Sequence, residues 1–296
     1  MLDYKLLEAA AMVVMEGGFD RAARKLNLTQ SAISQRIKLL EEQTGQILLV
    51  RATPPRPTPA GKRMLKHYLQ VKRLEGDLLA DVSPAPREGF ASLSLGINED
   101  SLATWFLDAV LPLLSSENVL LDLRVDDQEQ THRLLRDGEV VGCISSRKSP
   151  MQGCRITRLG RMYYHLLAAP GFRDRWFAGG VSPDALTRAP AVLFNRKDEL
   201  HDKLCRKLFD TPFTGTDTFY IPSSEKFVEI IVRGFACGMV PDFQGTPLIA
   251  DGTLVELAPA TPVPVELYWH CWNLKSLLLD KLTDALTREG RKLLSD

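Results

Sequence analysis

Residues 18–50, GFDRAARKLNLTQSAISQRIKLLEEQTGQILLV, decide the architecture of the amino-terminal end. The stretch reads as two short helices around a tight turn. Asp20 stands as a cap, and Ala22, Ala23 and Leu26 give the first helix an apolar face whose small alanines admit a close neighbour. Asn27-Leu28 makes the turn, and Thr29 caps the second helix. Ala32, Ile33, Ile37 and Leu40 bury one stripe of that helix, which leaves Gln30, Ser31, Ser34, Gln35 and Lys38 opposite, with Arg36 beside them. Amides and hydroxyls pair with base edges, while Arg36 and Lys38 suit guanine edges or phosphate oxygens. A face meant only for water would mix both charge signs, yet residues 21–40 hold no acid.

After the helices, the apolar run 46–50 predicts a short strand. Residues 51–58, RATPPRPT, cannot continue as helix because their prolines lack backbone donors, and they keep Arg51 and Arg56 for flanking phosphates. The result is a winged helix-turn-helix over residues 1–58, with its helix pair at 19–38 and Thr29, Gln30, Ser31, Ser34, Gln35, Arg36, Lys38, Arg51 and Arg56 as the candidate DNA contacts.

These motifs resemble the LysR-type transcriptional regulators. The likeness rests on Ala22-Ala23, on Thr29-Gln30-Ser31-Ala32-Ile33-Ser34, and on Leu40-Glu41 followed by Gly45. It extends to the ArgP branch of that family through Gln35-Arg36-Ile37-Lys38, Val50-Arg51 with Pro54-Pro55-Arg56-Pro57-Thr58, Ser101-Leu102-Ala103-Thr104-Trp105, Gly138-Glu139-Val140-Val141-Gly142 and Leu267-Tyr268-Trp269-His270. The resemblance implies a regulator of promoters for genes such as those of amino-acid export or metabolism. Its partners would be double-stranded promoter DNA, RNA polymerase and a basic amino acid, lysine or arginine, in place of any cofactor. The same branch also implies an alternative, a ligand-independent DNA-binding inhibitor of replication initiation. Two departures stand out: Glu99 occupies a position that is small in the branch pattern, and Phe243-Gln244-Gly245 follows Pro241-Asp242.

With 296 residues and 45% hydrophobic content, the chain has material for two or three compact units. Its zero net charge is unevenly spread, for residues 1–75 hold 13 Lys/Arg against 7 Asp/Glu (+6) and residues 76–296 hold 24 against 30 (−6). The basic end is the DNA end. The chain opens without a signal-peptide pattern and has no long apolar run, so a cytoplasmic protein without membrane contact is expected. Five scattered cysteines without a Cys-x-x-Cys pair are read as reduced, mostly buried thiols, and no metal site is expected.

Residues 61–82 predict a long helix with Met64, Tyr68, Val71, Leu74 and Leu78 along one seam. Placed between residues 59 and 86, it resembles the dimerising linker helix of the family, and a homodimer or dimer of dimers would set two reading heads on a two-part site. Beyond it, strands alternate with helices through residues 93–144, and the alternation repeats at 191–240. The fold class is therefore α/β behind the winged head, with two lobes like a type 2 periplasmic-binding-protein-like effector domain over residues 87–296. Lobe I is expected near 87–162 and 271–296, lobe II near 163–270, with the first crossing at 163–169 and the return at 267–272.

Ligands of open α/β sheets sit beyond the carboxyl ends of the strands, where helix starts offer free amides. Three junctions qualify and give the candidate effector contacts, namely Asn98, Asp100 and Ser101, then Asp126 and Asp127, then Ser223, Ser224 and Glu225. Hydroxyls and amides there suit an α-carboxylate, and clustered carboxylates suit an ammonium or guanidinium group. No phosphate loop, nucleophile elbow or zinc-protease motif occurs, the five histidines are scattered, and His270 is expected to be packed or capping. An enzyme is not the expected reading.

Overall fold

The computed structural model describes residues 2–82, 89–125 and 131–295. Helix α1 (Tyr4–Met15) leads into the reading head, α2 (Phe19–Lys25) and α3 (Gln30–Thr44). Asp20 does not cap α2. Gly18 holds the cap position without a side-chain bond, and Asp20 lies in the first turn beside the positive helix end. Asn27 takes the left-handed conformation, φ 53°, that Asn tolerates in a tight turn. Ala9, Met12 and Val13 of α1 bury against Ala22, Ala23, Ile33 and Ile37, so the alanine pair serves the close helix approach its sequence predicts.

The wing hairpin pairs β1 (Leu49–Val50) with β2 (Arg56–Pro57), Val50 opposite Arg56. The strand is shorter than the apolar run suggests because Glu41 claims part of it. Its carboxylate accepts the Leu48 and Leu49 N–H groups at 2.7 and 3.2 Å, fixing the wing to α3. Gly45 then ends α3 at φ 65°, so Leu40-Glu41 and Gly45 form one device: bury, clasp the wing, stop the helix.

Helix α4 (Pro59–Val82) starts against that clasp, with Thr58 Oγ1 accepting the Gly61 N–H at 3.1 Å. Met64 and Tyr68 do not join an outward seam. Tyr68 and Leu65 bury against Leu6, Leu7, Leu40 and Leu48 of their own chain, while Leu74, Leu78, Leu79 and Val82 further along are exposed. The helix then lies on the following domain, where Lys62 pairs with Asp137 at 2.5 Å, Arg73 Nε donates to Ser276 Oγ at 3.0 Å, and Leu69 packs on the cluster around Trp272.

Lobe I opens with β3 (Ala91–Ile97), α5 (Glu99–Thr104), α6 (Phe106–Ser116), β4 (Val119–Val125), α7 (Thr131–Arg136) and β5 (Gly142–Ser145). The helix expected over 105–114 is α6, and a further short helix, α5, precedes it, the two separated by Trp105, whose side chain is buried in the core. The crossing strand β6 (Cys154–Ala168) begins earlier than expected and runs fifteen residues. Lobe II adds α8 (Pro170–Trp176), α9 (Pro183–Arg188), β7 (Ala191–Leu193), α10 (Leu200–Phe209), β8 (Thr218–Tyr220), α11 (Ser224–Val232), β9 (Cys237–Pro241), α12 (Asp242–Ala250) and β10 (Val255–Glu256). The chain returns through β11 (Val263–Trp272) and closes with α13 (Leu277–Leu293).

These strands form one curled mixed sheet, β4-β3-β5-β11-β6-β9-β7-β8, with β10 paired to β6. Two parallel halves, β4-β3-β5 and β9-β7-β8, flank the antiparallel pair β11–β6 that carries the chain between lobes. Among the described residues no helix is long and apolar enough to cross a membrane. The described cysteines are all free thiols, buried except for the half-buried Cys154. His270 is buried and its Nε2–H donates to the Arg147 carbonyl at 2.9 Å, the packing role its sequence context predicts.

Gly61 is where the head tolerates least change. A Cβ there would overlap the Leu48 carbonyl oxygen, which the wing clasp holds in place. Gly61→Ala is expected to destabilise the reading head by about 1–3 kcal/mol; thermal unfolding with an unchanged midpoint would contradict the clasp.

Candidate DNA-reading face and interlobe cleft

The reading face is built by α3 and the wing. Thr29 Oγ1 accepts the Ala32 N–H at 3.2 Å and lies 2.9 Å from Ser31 Oγ, which seats the helix start. Gln30, Ser31, Gln35 and Lys38 are exposed, and Ser34 and Arg36 are half-buried beside the Ile33–Ile37 stripe. Lys38 meets Glu42 at 3.7 Å, but both side chains are well exposed, so the pair holds Lys38 only weakly. Arg51 and Arg56 are exposed at the hairpin, Arg56 opposite Val50 in its register and Arg51 just beyond the paired strand. Together the surface offers amides and hydroxyls at the helix start and guanidinium groups at the wing, the division of labour between base edges and phosphates.

The second site lies between the lobes. Where β3 ends, Asn98 begins α5; where β8 ends, Ser223 caps α11 through the Lys226 N–H; and β7 runs into the loop before α10. Their convergence leaves a cleft whose empty space, part of it open to solvent, is about 450 Å³. Asn98, Glu99 and Asp100 line it from lobe I, and Phe194, Asp198, Leu200, Ser224, Phe227, Met239 and Gln244 line it from lobe II.

Asp100 holds the two sides together. One carboxylate oxygen accepts from Tyr164 Oη on the crossing strand at 2.7 Å, and the other accepts from Ser224 Oγ of lobe II at 2.7 Å. Ser224 Oγ lies 3.0 Å from Gln244 Oε1 as well. Burial pushes the Asp100 carboxyl above the usual range; its two hydrogen bonds oppose that, and the Asp198 charge adds to it. Burial likewise raises Glu99, with the Ser224 backbone N–H opposing and the charges of Asp100 and Glu225 adding. Asp198 accepts the Phe194 and Leu200 N–H groups at 3.0 and 2.9 Å.

Asn98 is 1% exposed, and neither atom of its amide has a partner. A buried amide without protein partners costs free energy, which a hydrogen bond from a polar ligand would offset. Ser101 Oγ is also buried and unpartnered, although Ser101 is outside the cleft lining. Behind the cleft, His201 is buried with neither ring nitrogen partnered, and burial lowers its pKa despite Asp198 nearby, which keeps the ring neutral.

Of the sequence candidates, the structure brings Asn98, Asp100 and Ser224 into one cleft. Ser223 acts as a helix cap and Glu225 is exposed, both outside the lining, and Asp126 and Asp127 lie outside the described residues. Glu99 and Asp198 were not among the candidates. Glu99 had the right position but read as a departure from a pattern, and Asp198 precedes a helix as many caps do, so no local signal separated it from them.

Comparison with known proteins agrees with this architecture. Residues 4–62 match the bacterial regulatory helix-turn-helix protein, lysR family, and residues 91–290 match the LysR substrate binding domain. The chain is 43% identical to the HTH-type transcriptional regulator ArgP of Pseudomonas fluorescens over 295 residues, 99% of each chain. It is 40% identical to ArgP of Aeromonas salmonicida over 293 residues, covering 99% of this chain and 98% of that one. The crystal structure of ArgP from Mycobacterium tuberculosis superposes with a TM-score of 0.88 at 38% identity, over 100% of this chain and 99% of that one. Full-length LysG from Corynebacterium glutamicum with bound effector Arg gives 0.79 at 30% identity over the whole of both chains. A DNA-binding winged head, a linker helix and a two-lobed effector domain, matched from end to end, place this chain in the LysR family of bacterial transcriptional regulators and within its ArgP-like branch.

Proposed function

We propose that this regulator reads promoter DNA as a homodimer or dimer of dimers and answers to a basic amino acid, lysine or arginine, held between its lobes. The observation that carries the ligand reading is the unpartnered, buried Asn98 amide in a cleft that three carboxylates line. Carboxylates in a partly desolvated cleft favour ammonium or guanidinium groups. The apolar side chains of Leu200, Phe227 and Met239 suit the methylene stem of such a ligand. That LysG binds arginine on the same architecture supports the assignment. A DNA-coating protein without a ligand has no use for a buried polar cleft, which weighs against the replication-inhibitor alternative.

For dimerisation, the support is the exposed row Leu74, Leu78, Leu79 and Val82 on α4. Pairing along it would hold two heads at a fixed spacing, and target genes and any contact with RNA polymerase follow from where they sit. The head is joined to lobe I through Lys62–Asp137 and Arg73–Ser276, so a shift of lobe II against lobe I has a route to the helix that carries α3.

The DNA assignment predicts that Gln30→Ala or Arg36→Ala lowers affinity for a specific operator by about 1–3 kcal/mol; an operator footprint that neither substitution changes would contradict it. The ligand assignment predicts calorimetric binding of lysine or arginine and none of neutral amino acids, with Asp100→Asn weakening it. The same substitution should stabilise the unliganded protein. The folded state holds the Asp100 proton more tightly than the unfolded chain does, so stability is full at low pH and lost as pH rises through the raised pKa. Asparagine removes that loss, and the unfolding midpoint near pH 7 should rise by about 2–4 °C for each kcal/mol recovered. The gain should fade as pH falls; a midpoint that drops at pH 7 would contradict a strained carboxylate.

A further inference from the structure

Ser224 Oγ stands between two acceptors, the Asp100 carboxylate at 2.7 Å and Gln244 Oε1 at 3.0 Å. A serine hydroxyl carries one hydrogen, so it donates to only one of them. The carboxylate is nearer and, when ionised, the stronger acceptor, because a charge-assisted bond is roughly twice as strong as a neutral one. A lone pair of Ser224 Oγ is then left facing an amide oxygen at 3.0 Å with no proton between them. That contact is repulsive.

Turning the Gln244 amide end for end removes the conflict. The oxygen and nitrogen of a primary amide are nearly alike in shape, so the turn leaves packing unchanged and only exchanges the atom that meets Ser224. Nε2 then donates to the free lone pair of Ser224 Oγ, and Oε1 takes the other amide position. Gln244 lines the cleft from the first turn of α12. Among the described residues that other position has no hydrogen-bond partner. The carbonyl is open to a ligand.

The reverse arrangement requires a proton on Asp100. Its carboxyl would donate to Ser224 Oγ, the Ser224 hydroxyl would donate to Gln244 Oε1, and the amide nitrogen would be the open end. The ionisable groups around Asp100 are Glu99 beside it on α5, Tyr164 on β6, and Asp198 ahead of α10 with the neutral His201 behind it; beyond Glu99 lies Glu225 on α11. None of these is a cation. A cationic ligand therefore favours the ionised carboxylate, and with it the outward carbonyl.

We infer that Gln244 is a specificity-determining ligand contact, whose Nε2 donates to Ser224 and whose Oε1 accepts from the ammonium or guanidinium group that Asp100 balances. The inference rests on the interlobe cleft being the effector site. Asp100 already accepts on both oxygens, from Tyr164 and Ser224. Gln244 supplies a further acceptor without adding a fourth negative charge to those of Glu99, Asp100 and Asp198.

Calorimetric titration of the full-length protein with arginine and with lysine, in wild type, Gln244→Met and Gln244→Glu, tests this. Gln244→Met keeps the side chain's length without the amide, and should bind the preferred amino acid about tenfold more weakly. Gln244→Glu separates the two amide orientations. An ionised carboxylate cannot donate to Ser224, so this variant must take up a proton as it binds. Its affinity should fall as pH rises above the carboxylate range, whereas that of wild type should hold or rise. If Gln244 instead received the Ser224 proton, the added carboxylate would receive it equally well and attract the cation. Tighter binding by Gln244→Glu without proton uptake would therefore overturn the inference, as would unchanged affinity in Gln244→Met. Wild type that binds while both variants match it defeats the inference alone; wild type that binds neither amino acid defeats the effector reading with it.

Discussion

The Asp100 carboxylate is the constraint on which the effector domain turns. It is a buried carboxyl group held between lobe I, the crossing strand and lobe II, with one oxygen committed to Tyr164 and the other to Ser224. Charge-assisted hydrogen bonds of this kind are short and directional, yet enclosing a carboxylate costs solvation that they only partly offset. The tie is therefore strong enough to define how the lobes meet and strained enough to respond when a cation arrives. A ligand that neutralised Asp100, as proposed, would alter the energy of the Ser224 contact across the cleft. That differential between states is what a population shift requires.

On the proposed reading, transmission from cleft to DNA would use parts of a different character. The reading head is locked to itself by Glu41 on the wing amides and by the close passage of Gly61 against Leu48. Its outgoing helix then lies along lobe I through contacts that include the Lys62–Asp137 ion pair, the Arg73–Ser276 hydrogen bond and Leu69 packed on the cluster that holds Trp272. Polar contacts of this kind rearrange at modest cost, whereas the core around Trp105 and Trp269 does not.

Much of this was legible in the chain. Ala22-Ala23, Thr29 and Leu40-Glu41 with Gly45 announced the head because each answers a local physical demand: close approach, a cap, a clasp and a stop. The alternation of strands and helices gave the two lobes. What escaped the reading were features set by distant partners. Tyr68 looked like a dimer position but pairs with Glu8 and buries on α1, 60 positions away in sequence. Helix α5 ahead of α6 escaped because it is only six residues long, with buried Trp105 between the two. Asp198 joins the cleft only because β7 returns beside β9 and points the following loop at α5, a placement that no local pattern encodes.

The central claim is that occupancy of the cleft alters how the head sits on DNA. Footprinting of the full-length protein on its operator, with and without a saturating cleft ligand, measures this most directly. The account predicts a ligand-dependent change in the protected span or in bending-induced cleavage, and its loss in Asp100→Ala at the same ligand concentration. A footprint identical with and without a ligand that calorimetry shows to be bound in the cleft would contradict it.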